Sequence, residues 1–96
     1  HKTKDESVFF EAIRKIIVMC LEKSDGEVTE NSKFNQDLGA DDLDMFELAY
    51  KIEEELGLSI PDEELCDDIE EDAEYSFKFQ TVKELFDLCK KYKLNN

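Results

Sequence analysis

Apolar positions recur along this chain at helical spacing in three stretches. From Ser7 to Leu21, the residues Val8, Phe9, Ala12, Ile13, Ile16, Ile17, Cys20 and Leu21 fall in adjacent pairs every four residues, the mark of a broad apolar helix face. Ser24-Asp25-Gly26 breaks that pattern. A long connection follows, Glu27 to Ala40, in which Val28, Phe34 and Leu38 are the only sizeable apolar residues. A connection this long inside a compact domain is uncommon and needs anchors; Phe34 and Leu38 are the candidates. The second stretch begins at Asp41 or Asp42 and stops at Gly57, a residue suited to a left-handed helix cap. At about 100° per residue, Met45, Leu48, Ala49, Ile52 and Leu56 share one face. The opposite face carries Leu43, Phe46 and Tyr50 among Asp44, Glu47 and Glu54. Large apolar side chains in that number on a non-core face point to a contact surface.

Ile60-Pro61 opens a short third helix, with Pro61 at or near its first turn. Tyr75, Phe77 and Phe79 alternate with Ser76 and Lys78, a two-residue period that predicts a short extended segment. Thr81-Val82-Lys83-Glu84 has the form of a capping box, and Val82, Leu85, Phe86, Cys89 and Tyr92 give the last helix its apolar face. The pattern predicts an all-α fold of four helices, three longer and a short third, with a long loop between the first two. Its core should contain Ile13, Ile17, Leu48, Ile52, Leu85 and Phe86, with Phe34 closing it from the loop.

Composition narrows the function classes. The chain has 96 residues, room for one domain spanning 1–96, and shows no internal repeat. Its 26 acidic and 12 basic residues give a net charge of −14. Nucleic-acid phosphates and anionic membrane surfaces would both meet a repulsive field, whereas partners presenting Lys and Arg would be attracted. No apolar run approaches a membrane-spanning length. The cytoplasm is the expected compartment, with mitochondrion or plastid after removal of a transit peptide as the alternative. The cysteines Cys20, Cys66 and Cys89 are odd in number and lack CxxC spacing, and the one histidine is His1, so a zinc site is not expected. Cys20 and Cys89 sit on the apolar stripes as free thiols. The acids from Asp37 onward miss the EF-hand register, which leaves only weak divalent binding at Asp37, Asp41, Asp42 and Asp44. There is no usable histidine, glycine-rich phosphate loop or Cys/His pair, so the chain does not read as an enzyme.

The segment Asp37-Leu38-Gly39-Ala40-Asp41-Asp42-Leu43-Asp44 closely resembles the Asp-Leu-Gly-Ala-Asp-Ser-Leu-Asp motif of acyl carrier proteins. The likeness extends over about residues 7–92. Thr29 to Phe34 is similar to the family's loop lead-in, and Glu47-Leu48, Glu53-Glu54-Glu55, Ile60-Pro61-Asp62-Glu63-Glu64 and Thr81-Val82 recur in order at family spacing. The resemblance implies an acyl-carrier-like bundle, most plainly of fatty-acid or polyketide synthesis, acting as a monomeric substrate shuttle. It implies 4′-phosphopantetheine as cofactor, and as partners the basic patches of a phosphopantetheinyl transferase and of synthase enzymes. Docking would then fall to Asp41, Leu43, Asp44, Phe46, Glu47, Tyr50 and Glu54.

Two features depart from the family. About ten residues near Glu70 to Gln80 look inserted between the third and fourth helices. More consequential is Asp42, which stands where the family has the serine that takes the arm. Attack by a carboxylate on phosphorus gives an acyl phosphate, a mixed anhydride prone to hydrolysis, and not a stable phosphodiester. As a helix-start residue Asp is otherwise well suited, favoured by the helix dipole by about 0.3–1 kcal/mol. An engineered substitution that locks the apo form, a natural paralogue that kept its docking surface, and a residue-assignment artefact all stand open at this point. The alternative function is a non-carrying acidic adaptor with the same fold.

Overall fold

The computed structural model describes residues 2–66 and 77–94. Among the described residues four α-helices follow in order: α1 (Lys2–Leu21), α2 (Asp42–Leu56), α3 (Asp62–Leu65) and α4 (Val82–Leu94), with a single 3-10 turn at Asp25–Glu27. Among the described residues there is no β-strand, only isolated antiparallel bridges pairing Lys33 with Thr81 and Cys66 with Phe77. The all-α expectation holds.

The three apolar stripes converge. α1 contributes Phe9, Ile13, Ile16 and Ile17, α2 contributes Met45, Leu48, Ala49 and Ile52, and α4 contributes Val82, Leu85, Phe86 and Cys89, all buried. Phe34 enters from the long connection and Phe79 from the run into α4, their rings edge-to-face at 5.6 Å. Each of the six helical residues expected in the core is buried, and so is Phe34. The extended segment is partly seen: Phe79 is buried, Lys78 exposed and Phe77 half-buried, while Tyr75 lies outside the described residues. The same holds for most of the 70–80 segment.

Two expectations need correction. α1 begins at Lys2 and not at Ser7, because its first polar turn contains only helix-compatible residues and no breaker. Its end at Leu21 is the one the apolar pattern gives, with Glu22 adopting a left-handed backbone (φ 55°) just after it. Val8 is 65% exposed and not part of the buried face. At about 100° per residue it lies beyond the edge of the Phe9–Ile13–Ile16–Ile17 stripe, and Phe10 packs instead, its ring 5.1 Å from Phe86.

The long connection is pinned at both ends. Arg14, on α1, donates from Nη1 to the Asp25 carbonyl at 2.7 Å while its guanidinium pairs with Glu11 at 3.0 Å. That contact holds the Glu11 carboxyl below the usual carboxylate range, chiefly through the hydrogen bond from Arg14. Farther along, Phe34 N–H donates to Gln80, Val82 N–H to Ser32 and Lys83 N–H to Glu30, at 3.0, 3.1 and 2.9 Å. The capping box at the head of α4 forms as expected: Thr81 Oγ1 accepts from Glu84 N–H, and Glu84 accepts from Thr81 N–H. α2 ends at Gly57 in the left-handed region (φ 68°), where only glycine avoids a steric cost.

Two measurements test this core. Ile52→Ala should destabilise the fold by about 2–5 kcal/mol in urea titration, and a loss below about 0.5 kcal/mol would place Ile52 outside the core. Burial, reinforced by Glu53, pushes the Cys89 thiol up to about 12 from 9.0. The folded state therefore keeps a proton that the unfolded chain releases, so this contribution is complete below pH 9.0 and is lost as pH rises towards about 12. Cys89→Ala should flatten that alkaline decline, read as melting temperature against pH.

Candidate functional site

The head of α2 is built by a reciprocal cap. Asp44 N–H donates to Asp41 Oδ1 at 2.8 Å, and Asp41 N–H donates to Asp44 Oδ2 at 3.1 Å. The motif ahead of it is shaped by Gly39, at φ 66°, and by Ala40 N–H donating to the Phe34 carbonyl at 2.8 Å. Asp42 is the first residue inside the helix and is half-buried. Its carboxylate takes no part in the cap, and among the described residues it has no hydrogen bond or ion pair. The cap satisfies the Asp44 N–H of the first turn and the Asp41 N–H before it, and it does so without the Asp42 carboxylate.

From that head a stripe runs down the outer side of α2. Leu43, Glu47, Tyr50 and Glu54 follow at helical spacing and stack along one line. Leu43 is 66% and Tyr50 63% exposed, with the exposed acids Glu47 and Glu54 between and beyond them. Lys51, the one cation of α2, is already shared between Glu54 at 3.9 Å and Glu55 at 3.6 Å. Phe46 differs from its two apolar companions. It is half-buried, its ring 5.0 Å from that of Phe77. Phe77 in turn meets Phe79 at 5.8 Å, so an aromatic column leads from the outer face of α2 to Phe34 in the core. Glu53, which the resemblance groups with Glu54 and Glu55, is turned inward. Its carboxylate accepts from Ile60 N–H at 2.7 Å and holds the turn after α2.

Of the acids considered for divalent binding, all but Asp42 are occupied otherwise. Asp37 accepts from Lys33 N–H at 2.8 Å, and Asp41 and Asp44 cap α2. Among the described residues no three His, Cys, Asp or Glu side chains are grouped so as to hold a metal ion. Clefts of about 390 Å³ between α1 and α4 and about 310 Å³ between α1 and α2 both lie away from Asp42; the first is lined by Phe10, Lys83 and Phe86, the second by Ile16, Met19 and Cys20. Cys20 is half-buried and its thiol is pushed up, mainly by burial. Among the described residues no helix is long and apolar enough to cross a membrane. Sequence reasoning missed Arg14 and the Phe46–Phe77 contact. The aromatic alternation around Phe77 is the signal that points to the second.

Comparison with known proteins agrees with this arrangement. The phosphopantetheine attachment site family matches residues 11–88. The acyl carrier protein of Treponema denticola is 38% identical over 81 residues, covering 84% of this chain and 90% of its own. That of Borreliella burgdorferi is 35% identical over 89 residues, covering 93% and 98%. That of Wolinella succinogenes reaches 47% over 55 residues, covering 57% and 72%. A small helical carrier module is the class that fold and matches define, and the chain belongs to the acyl carrier protein family. It is a carrier-type protein and not an enzyme; phosphopantetheine is the family's cofactor and fatty-acid biosynthesis its usual setting.

The net charge of −14 makes the fold self-repelling, most strongly along α2. Added NaCl or Mg²⁺ should therefore raise the melting temperature by screening or by loose occupation of the acids. Melts that stay flat or fall with added salt would contradict this.

Proposed function

We propose that this chain, a single carrier domain over residues 1–96 with an insertion at about 70–80, is an acyl-carrier scaffold that docks to carrier-dependent enzymes yet does not take the 4′-phosphopantetheine arm at position 42. Asp42 carries this reading. It stands at the head of α2 where the family motif has serine, outside the cap and without a partner among the described residues. A carboxylate has no hydroxyl from which to form the phosphodiester, so the residue present does not fit the arm. The docking side is intact in kind. Exposed Leu43 and Tyr50 supply apolar contacts, and Asp41, Asp44, Glu47 and Glu54 supply charge for basic patches on a phosphopantetheinyl transferase and on fatty-acid or polyketide synthase enzymes. Complementary charge of this sort raises the association rate and selects partners, while the apolar centre holds the complex. Phe46 contributes its outer edge, the rest being engaged by Phe77.

The chain acts as a monomer in the cytoplasm, or in a mitochondrion or plastid. A second reading, an acidic adaptor that never carries a substrate, is favoured by the same Asp42. A serine codon at position 42 of the natural gene supports carriage, and an aspartate codon supports the adaptor.

Incubated with coenzyme A and a phosphopantetheinyl transferase, the chain should gain no mass, whereas Asp42→Ser should gain one arm by mass spectrometry. The transferase should still bind the Asp42 protein, and Glu47→Lys should weaken that binding and flatten its salt dependence. A folded Asp42→Ser protein left unmodified by several transferases overturns the carrier reading in favour of the adaptor.

A further inference from the structure

A serine hydroxyl at the head of α2 is neutral, but once it carries a phosphodiester that point bears one negative charge. Asp42 bears one negative charge there permanently. Three observations make that charge available to a partner. The cap is completed by Asp41 and Asp44, so the helix does not need the Asp42 carboxylate. No cation neutralises it among the described residues, Lys51 being shared by Glu54 and Glu55. The adjoining Leu43 is 66% exposed and offers an apolar contact beside the charge.

We propose that Asp42 is an interaction residue that imitates the charge of an arm-bearing carrier. Its carboxylate meets the Lys or Arg groups with which a carrier-dependent enzyme grips the phosphodiester, so that this chain competes with loaded carriers for that enzyme. The inference rests on the docking reading above and gives it a regulatory sense: the chain holds the enzyme's carrier site without delivering a substrate. The enzyme partner is defined by its chemistry, a basic pocket beside a shallow apolar patch. Selectivity follows from charge. An enzyme that receives unmodified carriers meets a neutral hydroxyl and gains nothing from Asp42, whereas one that receives loaded carriers gains a charge pair at the rim of the interface. Such a pair is worth about a threefold change in affinity when partly solvated.

The test is displacement of a fluorescently labelled, phosphopantetheine-bearing acyl carrier protein from a purified condensing enzyme of fatty-acid synthesis. Unlabelled wild-type, Asp42→Asn and Asp42→Ser chains serve as competitors. Asp42→Asn keeps the shape and removes the charge, and because Asp42 lies outside the cap its melting temperature should fall only slightly, through the lost helix-dipole contribution. The wild-type chain should displace the labelled carrier at about threefold lower concentration than either variant, and that advantage should shrink as salt is added. Equal displacement by all three overturns the charge imitation while leaving the docking surface standing. Displacement by none of the three overturns the docking reading, and the imitation with it.

Discussion

Backbone hydrogen bonds between the long connection and the residues that lead into α4 are the constraint on which the site depends. Phe34, Val82 and Lys83 donate across this seam to Gln80, Ser32 and Glu30, and the Phe34 and Phe79 rings close it on the core side. A chain leaving α1 must return along the bundle before α2 can begin, and the ordering of such a segment costs about 1–2 kcal/mol of backbone entropy per residue. Buried Val28, Phe34, Leu38 and Ala40 offset that cost from within the segment, and Arg14 secures its first turn. Once Phe34 is seated, its carbonyl fixes Ala40, Gly39 makes the left-handed turn, and Asp41 arrives in position to cap α2. The head of α2 is thus placed by a ring and a seam that lie on the other side of the loop.

Charge and packing are divided between different residues of α2, which lets one short helix serve two ends. Met45, Leu48, Ala49 and Ile52 are buried, whereas the outer line of Leu43, Glu47, Tyr50 and Glu54 is exposed. The acids on that line repel one another and weaken the fold slightly, as self-repulsion of this kind must. The buried stripe supplies enough hydrophobic stabilisation to tolerate it, since each fully buried Leu or Ile is worth about 1.5–3 kcal/mol. Glu53 leaves the pattern because its carboxylate accepts from Ile60 N–H at the turn after Gly57, as Phe46 does by packing on Phe77.

The period of the apolar residues made most of this fold legible, because a stripe such as Leu48–Ile52 or Leu85–Phe86–Cys89 has only one face to bury. The box at the start of α4 was equally legible, since Thr81 to Glu84 carry the chemistry of capping in their order, whereas the Asp41–Asp44 box went unread because so many acids crowd that motif. What escaped was set by contacts distant in sequence. Phe46 reads like Leu43 and Tyr50 until Phe77 is brought beside it. Arg14 reads like any surface cation until the loop carbonyl at Asp25 is folded back onto it. Val8 misled for a local reason, because an apolar residue at the border of a stripe is claimed by the core only if a neighbouring element reaches that far, and here Phe86 meets Phe10.

Position 42 shows how the chemistry of a carrier is kept apart from its stability. The start of α2 is capped by Asp41 and Asp44 acting on each other's N–H groups, and the helix dipole accepts a carboxylate at the next position as readily as a hydroxyl. Neither residue type is demanded there by packing, for the side chain is half-buried and without a partner among the described residues. A change between serine and aspartate at this point therefore leaves the cap, the core stripe and the outer line of Leu43 and Tyr50 in place. It alters only what the head of the helix offers, a nucleophilic hydroxyl in one case and a fixed negative charge in the other. The residue at 42 determines what chemistry the head of α2 presents, and the seam at Phe34 determines where that head lies.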